Sequence, residues 1–308
     1  MKISKPNFWQ KRLHIITILL TPFSLIFLLI SKFKKYFISE NQFSIPIICV
    51  GNIYIGGTGK TPLAIKIADE INYNLKPAIV KKFYKSHKDE HLLIKNKFKD
   101  LFLNFKRSDA IKEAIKKKFN LIILDDGFQD YSIKKNLNIL CFNSKQLIGN
   151  GMLFPSGPLR EEFASIKRAK IIVINGNRNE LFEEKILKIS KDIQIFYSKY
   201  NPINLNEFKD KKILAFAGIG NPENFFDTLK NNNLDLKKTI SYPDHYNFTK
   251  SELEKIVDIS KKDNLEILTT EKDFYRIKDF KIEQIKCFKI ELEIQNNKKF
   301  ISQIIKNI

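Results

Sequence analysis

The residues Gly56-Gly57-Thr58-Gly59-Lys60-Thr61 have the types and spacing of a loop that wraps phosphate. Glycines there let backbone N–H groups turn inward around phosphate oxygens, where side chains would obstruct the approach. The Lys60 ammonium can then reach the β- and γ-phosphates of a nucleotide, and the Thr61 hydroxyl can ligate Mg²⁺. The usual pattern opens on a glycine, and this chain has Tyr54 in that place, so Tyr54-Ile55 begin a variant of the loop. A second chemical signal is Leu121-Ile122-Ile123-Leu124-Asp125-Asp126. An apolar run ending in carboxylates is what a buried parallel strand delivers to the carboxyl edge of its sheet. Asp125 and Asp126 are expected to hold Mg²⁺ or its water shell, as such a residue does in P-loop enzymes.

Those groups need a strand before the loop and a helix after it. Ile45 to Val50 is β-rich, and Leu63 to Ile71 has helical spacing, with Pro62 tolerated in the first turn. A glycine-rich turn before an ordinary helix would explain a lone Gly-x-Gly, but the full order of strand, glycines, Lys-Thr and helix favours a nucleotide. From Lys76 onward short strands alternate with helices, which predicts an α/β fold. Strands are expected at Pro77–Val80, Leu121–Asp125, Leu137–Phe142, Lys170–Ile174, Ile193–Tyr197, Ile213–Ala217 and Glu266–Thr269. Helices are expected at Ala110–Lys118, Leu181–Ser190, Pro222–Lys230 and Thr249–Lys261. The polar stretch Tyr200–Lys212 separates two such series. The expected division is therefore a P-loop NTPase-like parallel-sheet core at 36–203 and a smaller α/β domain at 204–308.

Residues 1–35 form the third expected part, a membrane anchor. Leu13 to Ile30 is almost wholly apolar and as a helix would be about 27 Å long, close to a bilayer core. It lacks a small-residue cleavage site and is long for a signal peptide. Lys11-Arg12 and Lys32, Lys34 and Lys35 flank it on both sides, so charge does not decide its orientation. His14 and Pro22 weaken a clean span, which leaves a helix lying in the interface as the alternative. Because it precedes the first sheet strand, it is expected to be separable from the nucleotide site.

The chain has 308 residues, 43% of them hydrophobic, enough for two sizeable cores. Its net charge of +20 favours anionic partners, although Lys-rich composition alone could produce it. No arginine-rich or aromatic-interleaved stripe points to nucleic acid. Cys49, Cys141 and Cys287 lie in apolar runs without metal-ligand spacing and are expected to be buried thiols.

Several ordered stretches together resemble the tetraacyldisaccharide 4′-kinases of lipid A biosynthesis. They are Val50-Gly51-Asn52 with Gly56 to Pro62, Asp125-Asp126-Gly127-Phe128-Gln129, and Gly149-Asn150-Gly151 with Pro155 to Glu161. Phe216 to Glu223, Tyr242-Pro243-Asp244-His245 and Thr269-Thr270-Glu271-Lys272-Asp273 follow. The resemblance implies ATP and Mg²⁺ as cofactors and transfer of the γ-phosphoryl group to the 4′-hydroxyl of an acylated glucosamine disaccharide 1-phosphate. It also implies contact with membrane lipid, at the cytoplasmic face of a bacterial inner membrane. The family's base lies in a Gly-Asp-Glu-Pro motif, here Lys88-Asp89-Glu90-His91, which implies Asp89 as general base. A free aspartate is a weak base toward a sugar hydroxyl, and His245 is the implied partner, from the second domain, so the site is expected where the two domains meet. Asp89 and His245 join Lys60 as the catalytic expectations.

The chain departs from the family at Lys81-Lys82-Phe83-Tyr84, His91 and Asp130, which bears on the acceptor side of the site. The loop around Gly149 to Pro158 has two open readings, a phosphate contact through Arg160 or a rigid turn. Thr269 to Asp273 has no assigned partner. A membrane-anchored nucleotide switch or a nucleic-acid ATPase would use the same loop; the first needs no acceptor base and the second would respond to DNA or RNA.

Overall fold

The computed structural model describes residues 6–11, 14–73 and 75–308; residues 1–5, Arg12 and Leu13 of the expected anchor at 1–35 lie outside the described residues. In chain order the elements are α1 (Ile15–Phe37), β1 (Ile47–Gly51), α2 (Lys60–Ile71), β2 (Pro77–Lys82), α3 (Lys88–Lys97), β3 (Leu101–Asn104), α4 (Arg107–Lys116), β4 (Leu121–Asp125), β5 (Leu137–Asn143), β6 (Ile171–Asn175), α5 (Glu180–Ile189) and β7 (Gln194–Pro202). They continue with β8 (Lys212–Ala217), α6 (Pro222–Asn231), β9 (Asp235–Ser241), α7 (Lys250–Asp263), β10 (Glu266–Thr270), α8 (Glu271–Ile277), β11 (Ile285–Phe288), β12 (Ile290–Ile294) and α9 (Asn297–Lys306).

The larger sheet has the order β12-β7-β6-β5-β1-β4-β2-β3. From β3 to β7 its neighbours pair in parallel. Strands β1, β4 and β6 are buried at every position, which explains their unbroken apolar runs: both faces of a parallel sheet are covered. In β1 and β4, Val50 pairs with Asp125, so the carboxylate sits level with the point where β1 gives way to the glycine loop. The smaller sheet, β11-β10-β8-β9, is also parallel. In β8, Ile213, Ala215 and Ala217 face one core while Leu214 and Phe216 face another, the two-residue alternation of a strand covered on both sides.

The chain divides into two compact units, and not at a single boundary near residue 203. The smaller contains Tyr84–Lys97 and Tyr200–Leu292; the larger contains the described residues up to Phe83, Phe98–Lys199 and Glu293–Ile308. Packing supplies the reason. Helix α3 packs on α8 within the smaller unit. At the other end of the chain, Phe300 of α9 is fully buried in the larger unit with its ring 5.2 Å from that of Phe196.

The segment expected to be a separable anchor is also built into the larger unit. Trp9 is buried, and its indole N–H donates to the Pro155 carbonyl at 3.1 Å. The Asn150 N–H donates to the Trp9 carbonyl at 2.7 Å. Gly149, at φ +59, passes so close that a Cβ there would lie 2.6 Å from the Trp9 carbonyl oxygen. Midway along α1, Ser24 is buried, donates to the Leu153 carbonyl at 2.9 Å and accepts from the Ser156 N–H at 3.0 Å. The loop after Gly149 is thus the seat of the N-terminal segment.

Cys49 and Cys141 are buried, as expected, and burial pushes the Cys49 thiol up to about 11; Cys287 is only partly covered. Trp9→Ala should lower the unfolding free energy by about 3 kcal/mol, the scale for losing a large buried aromatic. Chemical denaturation of the detergent-solubilised chain measures it. An unchanged midpoint would mean that Trp9 does not hold the segment in place.

Candidate active site

The glycine loop runs from the end of β1 into α2, and Gly59 caps that helix at φ 92, a left-handed conformation that glycine adopts without strain. Asn52, fully buried, shapes the loop from inside: its side-chain amide donates to the Tyr54 carbonyl at 2.6 Å and to Thr58 Oγ1 at 2.9 Å. Gln129 braces Asn52 in turn, donating to its carbonyl at 2.8 Å. Gly57 is exposed, and a Cβ there would meet nothing within 4 Å, so the loop borders open space at that point. Backbone N–H groups at a helix N-terminus around such a space form an anion site. Tyr54, in the place of the usual glycine, is fully buried, and burial pushes its phenol up to about 12 against the opposing Gln10 hydrogen bond.

Opposite the loop, Asp125 is fully buried at the end of β4. Its Oδ2 accepts from Thr61 Oγ1 at 2.8 Å and from Lys81 Nζ at 2.6 Å. Its Oδ1 has no hydrogen-bond partner among the described residues. An unpartnered buried carboxylate oxygen beside a threonine hydroxyl is an oxygen-only donor set, which suits a hard cation such as Mg²⁺.

Asp126 differs. Arg160 Nη1 lies 3.0 and 3.1 Å from its two carboxylate oxygens, and Lys60 Nζ lies 3.8 Å away. Removal from water opposes ionisation, but Lys60, Arg160 and Lys81 outweigh it and hold the Asp126 carboxyl well below the usual carboxylate range. Of the two carboxylates expected to serve a metal, Asp125 therefore has the available oxygen. Arg160, read from the sequence as a phosphate contact or as part of a rigid turn, pairs with Asp126 in this structure.

The smaller unit builds a second charged cluster around Asp89, at the start of α3 and 3% exposed. Arg276 Nη2 contacts its Oδ2 at 2.5 Å, Lys272 Nζ lies 3.6 Å away, and His245 Nδ1 lies 3.2 Å from the same oxygen. Burial alone would raise the Asp89 pKa, yet His245, Lys272 and Arg276 hold it far below the ordinary carboxylate value. Lys272 also reaches Glu90 at 3.1 Å and Asp244 at 3.4 Å. Desolvation opposes its charge, and Glu90, Asp244 and Asp89 overcome that, so the ammonium is retained. His245 takes a left-handed backbone, φ 56, and its N–H donates to the Gly218 carbonyl at 3.1 Å.

This cluster accounts for the motif that had no partner. Asp273 is fully buried and accepts from the Gly218 N–H at 2.9 Å and from Thr270 Oγ1 at 2.8 Å, and it holds Arg276 at 2.6 Å. Glu271 pairs with Lys97 at the far end of α3, at 2.7 Å. Thr270 to Arg276 therefore clamps α3 at both ends and aims two cations at it. His87, Glu90 and His245 bring possible metal-ligand atoms within 4.8 Å of one another, but Lys272 Nζ already lies 3.1 Å from Glu90 and 3.4 Å from His245 Nε2. The ammonium fills the role a cation would have there.

The resemblance implied Asp89 and His245 as partners from two different domains. The structure places them 3.2 Å apart within the one smaller unit, because α3 packs on α8 there. It adds contacts from Lys272 and Arg276, which the sequence had not singled out for a role. Lys81 was also missed. Its signal was available: a lysine in the last turn of an apolar strand beside one that ends in Asp.

A parallel sheet with a glycine loop after one of its inner strands, a lysine and threonine opening the next helix, and a buried carboxylate opposite define a P-loop nucleotide-binding protein. The sequence profile of the tetraacyldisaccharide-1-P 4′-kinases matches residues 16–308. The chain is 44% identical to the tetraacyldisaccharide 4′-kinase of Pelagibacter ubique, covering 99% of this chain and 98% of that one. It is 32% identical to that of Rickettsia bellii, with 99% of each covered. The crystal structure of LpxK from Aquifex aeolicus in complex with ATP superposes with a TM-score of 0.71 at 24% identity, over 95% of this chain and 99% of that one. The chain belongs to the tetraacyldisaccharide 4′-kinase family.

Lys81→Met should be more damaging than its size suggests, because it leaves Asp125 buried without its cation. Breaking such a pair costs about 3–5 kcal/mol. Thermal unfolding should show that loss, and a change under about 1 kcal/mol would mean that the Lys81–Asp125 pair contributes little to the fold. Lys60→Ala should leave the fold intact and reduce phosphoryl transfer by about 10²-fold or more.

Proposed function

We propose that the chain transfers the γ-phosphoryl group of ATP to the 4′-hydroxyl of an acylated glucosamine disaccharide 1-phosphate. The observation that carries this is the phosphate loop, with Lys60 and Thr61 opening α2 and Thr61 hydrogen-bonded to the buried Asp125. Family membership supplies the acceptor, since the relatives are named for it.

Each residue has a role that follows from its surroundings. Backbone N–H groups of Gly56 to Thr61 hold the phosphate chain, and Lys60 neutralises charge on the transferring group. Thr61 and Asp125 would hold Mg²⁺, which supplies charge neutralisation across the β- and γ-phosphates when bound. Asp126, already paired, keeps Lys60 and Arg160 in place. In the transfer an O–P bond forms to the acceptor oxygen, the bond from the γ-phosphorus to the bridging oxygen breaks, and ADP leaves. The acceptor proton goes to the Asp89–His245 pair. Asp89, held far below the usual carboxylate range, is a poor proton acceptor by itself. Its better use is to fix the imidazole through Nδ1 and stabilise the positive charge that develops as the ring takes the proton, as a carboxylate does for histidine in other enzymes.

Helix α1 is 23 residues long and apolar enough to cross a bilayer, and only 11% of its most apolar stretch is covered by protein, unlike a core helix. With an acylated acceptor and cytoplasmic ATP, this supports a site on the cytoplasmic face of a bacterial inner membrane. The net charge of +20 suits an anionic glycolipid at that surface.

The direct test is incubation with ATP, Mg²⁺ and a tetraacyl disaccharide 1-phosphate; a second phosphate on the lipid is expected. Hydrolysis of ATP without lipid phosphorylation would overturn the reading in favour of a switch. Asp89→Asn and His245→Ala should each slow single-turnover phosphorylation by about 10²-fold while ATP binding survives. If the two act as a unit, the double variant should be little worse than the worse single one. Fully multiplicative losses would show that they act separately.

A further inference from the structure

We infer that His87 is a positioning residue for the proposed transfer. Its ring lies flat on that of His245, fixes the plane of the proton-accepting imidazole, and takes up the positive charge that acid would otherwise place there. The inference rests on the kinase reading above and adds to it a residue that neither the glycine loop nor the Asp89 motif calls for.

The geometry lies wholly within the smaller unit. The rings of His87 and His245 are stacked, with centroids 4.4 Å apart and planes inclined by 4°. The ring of Tyr84 packs on that of His87 in turn, 5.1 Å away and tilted by 47°. Glu90 joins the two imidazoles: one of its oxygens lies 3.7 Å from His87 Nδ1 and the other 3.7 Å from His245 Nε2.

Both rings are mounted on fixed backbone. His87 closes the short turn Lys85–His87, its N–H donating to the Tyr84 carbonyl at 3.1 Å, and α3 begins at the next residue. His245 is tied at φ 56 to the Gly218 carbonyl. The contact of its Nδ1 with Asp89 holds one corner of the ring, about which the rest could still swing. A flat ring against the face removes that freedom, and a proton acceptor works only when its lone pair is aimed.

The surroundings of each ring decide where charge goes. His245 faces Asp89 at Nδ1, with Arg276 bound to the same carboxylate. At Nε2 it faces Glu90, Asp244 at 3.8 Å and Lys272 Nζ at 3.4 Å. An ammonium can donate to Nε2 only while that nitrogen carries no proton. His87 faces Glu90 and Tyr84, and its side chain is 32% exposed against 18% for His245, so a charge on it keeps more of its hydration. As pH falls, the first proton of the pair therefore goes to His87, and a second on the ring in face contact with it is repelled. His87 in its charged form keeps His245 able to take the acceptor proton at a lower pH than it could alone.

The test compares His87→Phe, which keeps a flat ring but cannot titrate, with His87→Ala, which keeps neither property. Single-turnover phosphorylation of a tetraacyl disaccharide 1-phosphate is followed between about pH 5 and about pH 9 at saturating ATP and Mg²⁺. His87→Phe should hold the alkaline plateau within about twofold of the unsubstituted chain while its acid limb moves up by about one pH unit. His87→Ala should show the same displaced limb on a plateau lowered about tenfold. ATP affinity should be unchanged in both. The chain has four histidines, His14, His87, His91 and His245, so ¹³Cε1 labelling gives a simple spectrum in which His245 is identified by its loss in His245→Ala. Its titration should move to higher pH in His87→Phe, and an undisturbed signal from His91, buried in α3, reports that the helix is still folded. Should His87→Ala not fold, the acid limb of His87→Phe decides alone. Acid limbs and His245 titrations that coincide with those of the unsubstituted chain would overturn the inference, as would a His87→Phe plateau as low as that of His87→Ala. If the unsubstituted chain places no phosphate on the lipid, the kinase reading falls, while the His245 titration still decides whether the two rings are coupled.

Discussion

A single buried carboxylate organises the nucleotide half of the molecule. Asp125 accepts from Thr61 at the head of α2 and from Lys81 at the end of β2, while its own strand pairs with the strand that feeds the phosphate loop. Three elements therefore converge on one carboxylate, and both contacts fall on its Oδ2. The arrangement is stable because each charge is matched where water cannot reach, and a buried charge without its partner is strongly unfavourable. It also leaves Asp125 Oδ1 unsatisfied among the described residues, so the protein holds a polar group in reserve at the place where a cation would be useful.

The smaller unit solves a related problem by different means. Asp89 is withdrawn from water and surrounded by an arginine, a lysine and a histidine, each of which has further partners of its own. Arg276 is fixed by Asp273, and Asp273 by the backbone of Gly218. The chain of contacts sets where the imidazole of His245 lies, and it lets the carboxylate stay ionised despite burial. Ionised but weakly basic is a poor property for a lone proton acceptor and a good one for a group that orients another.

Much of this was legible in the sequence wherever a pattern had a local cause. The loop, the Leu121–Asp125 strand and most helices are written in glycine placement and hydrophobic spacing. What escaped was set by distant partners. Strand β9, Asp-Leu-Lys-Lys-Thr-Ile-Ser, is an exposed edge strand with no apolar run to announce it. Helix α3 begins inside a charge run, Lys85 to Glu90, that resembles a solvated surface; its acidic residues are covered by Lys272 and Arg276, nearly two hundred residues away in the chain. The N-terminal segment was read as detachable because it comes first, whereas Trp9 and Ser24 bind it to a loop some 130 or more residues later. Ordered motifs placed Asp89 beside His245 where local pattern could not.

The path of the chain between the two units sets a limit on how the protein can be divided. It passes into the smaller unit at Tyr84, back at Phe98, in again at Tyr200 and out at Glu293. A single cut near residue 203, the natural place to separate two domains by eye, would produce no autonomous halves. The first fragment would keep Asp89 but lose Arg276, Lys272 and His245, stranding a carboxylate that is folded only among cations. The second would carry away α9 and leave Phe196 facing solvent where Phe300 had covered it. The gene for such a protein cannot be shortened to a nucleotide-binding module by truncation at either end, and fragments of it would need each other to fold.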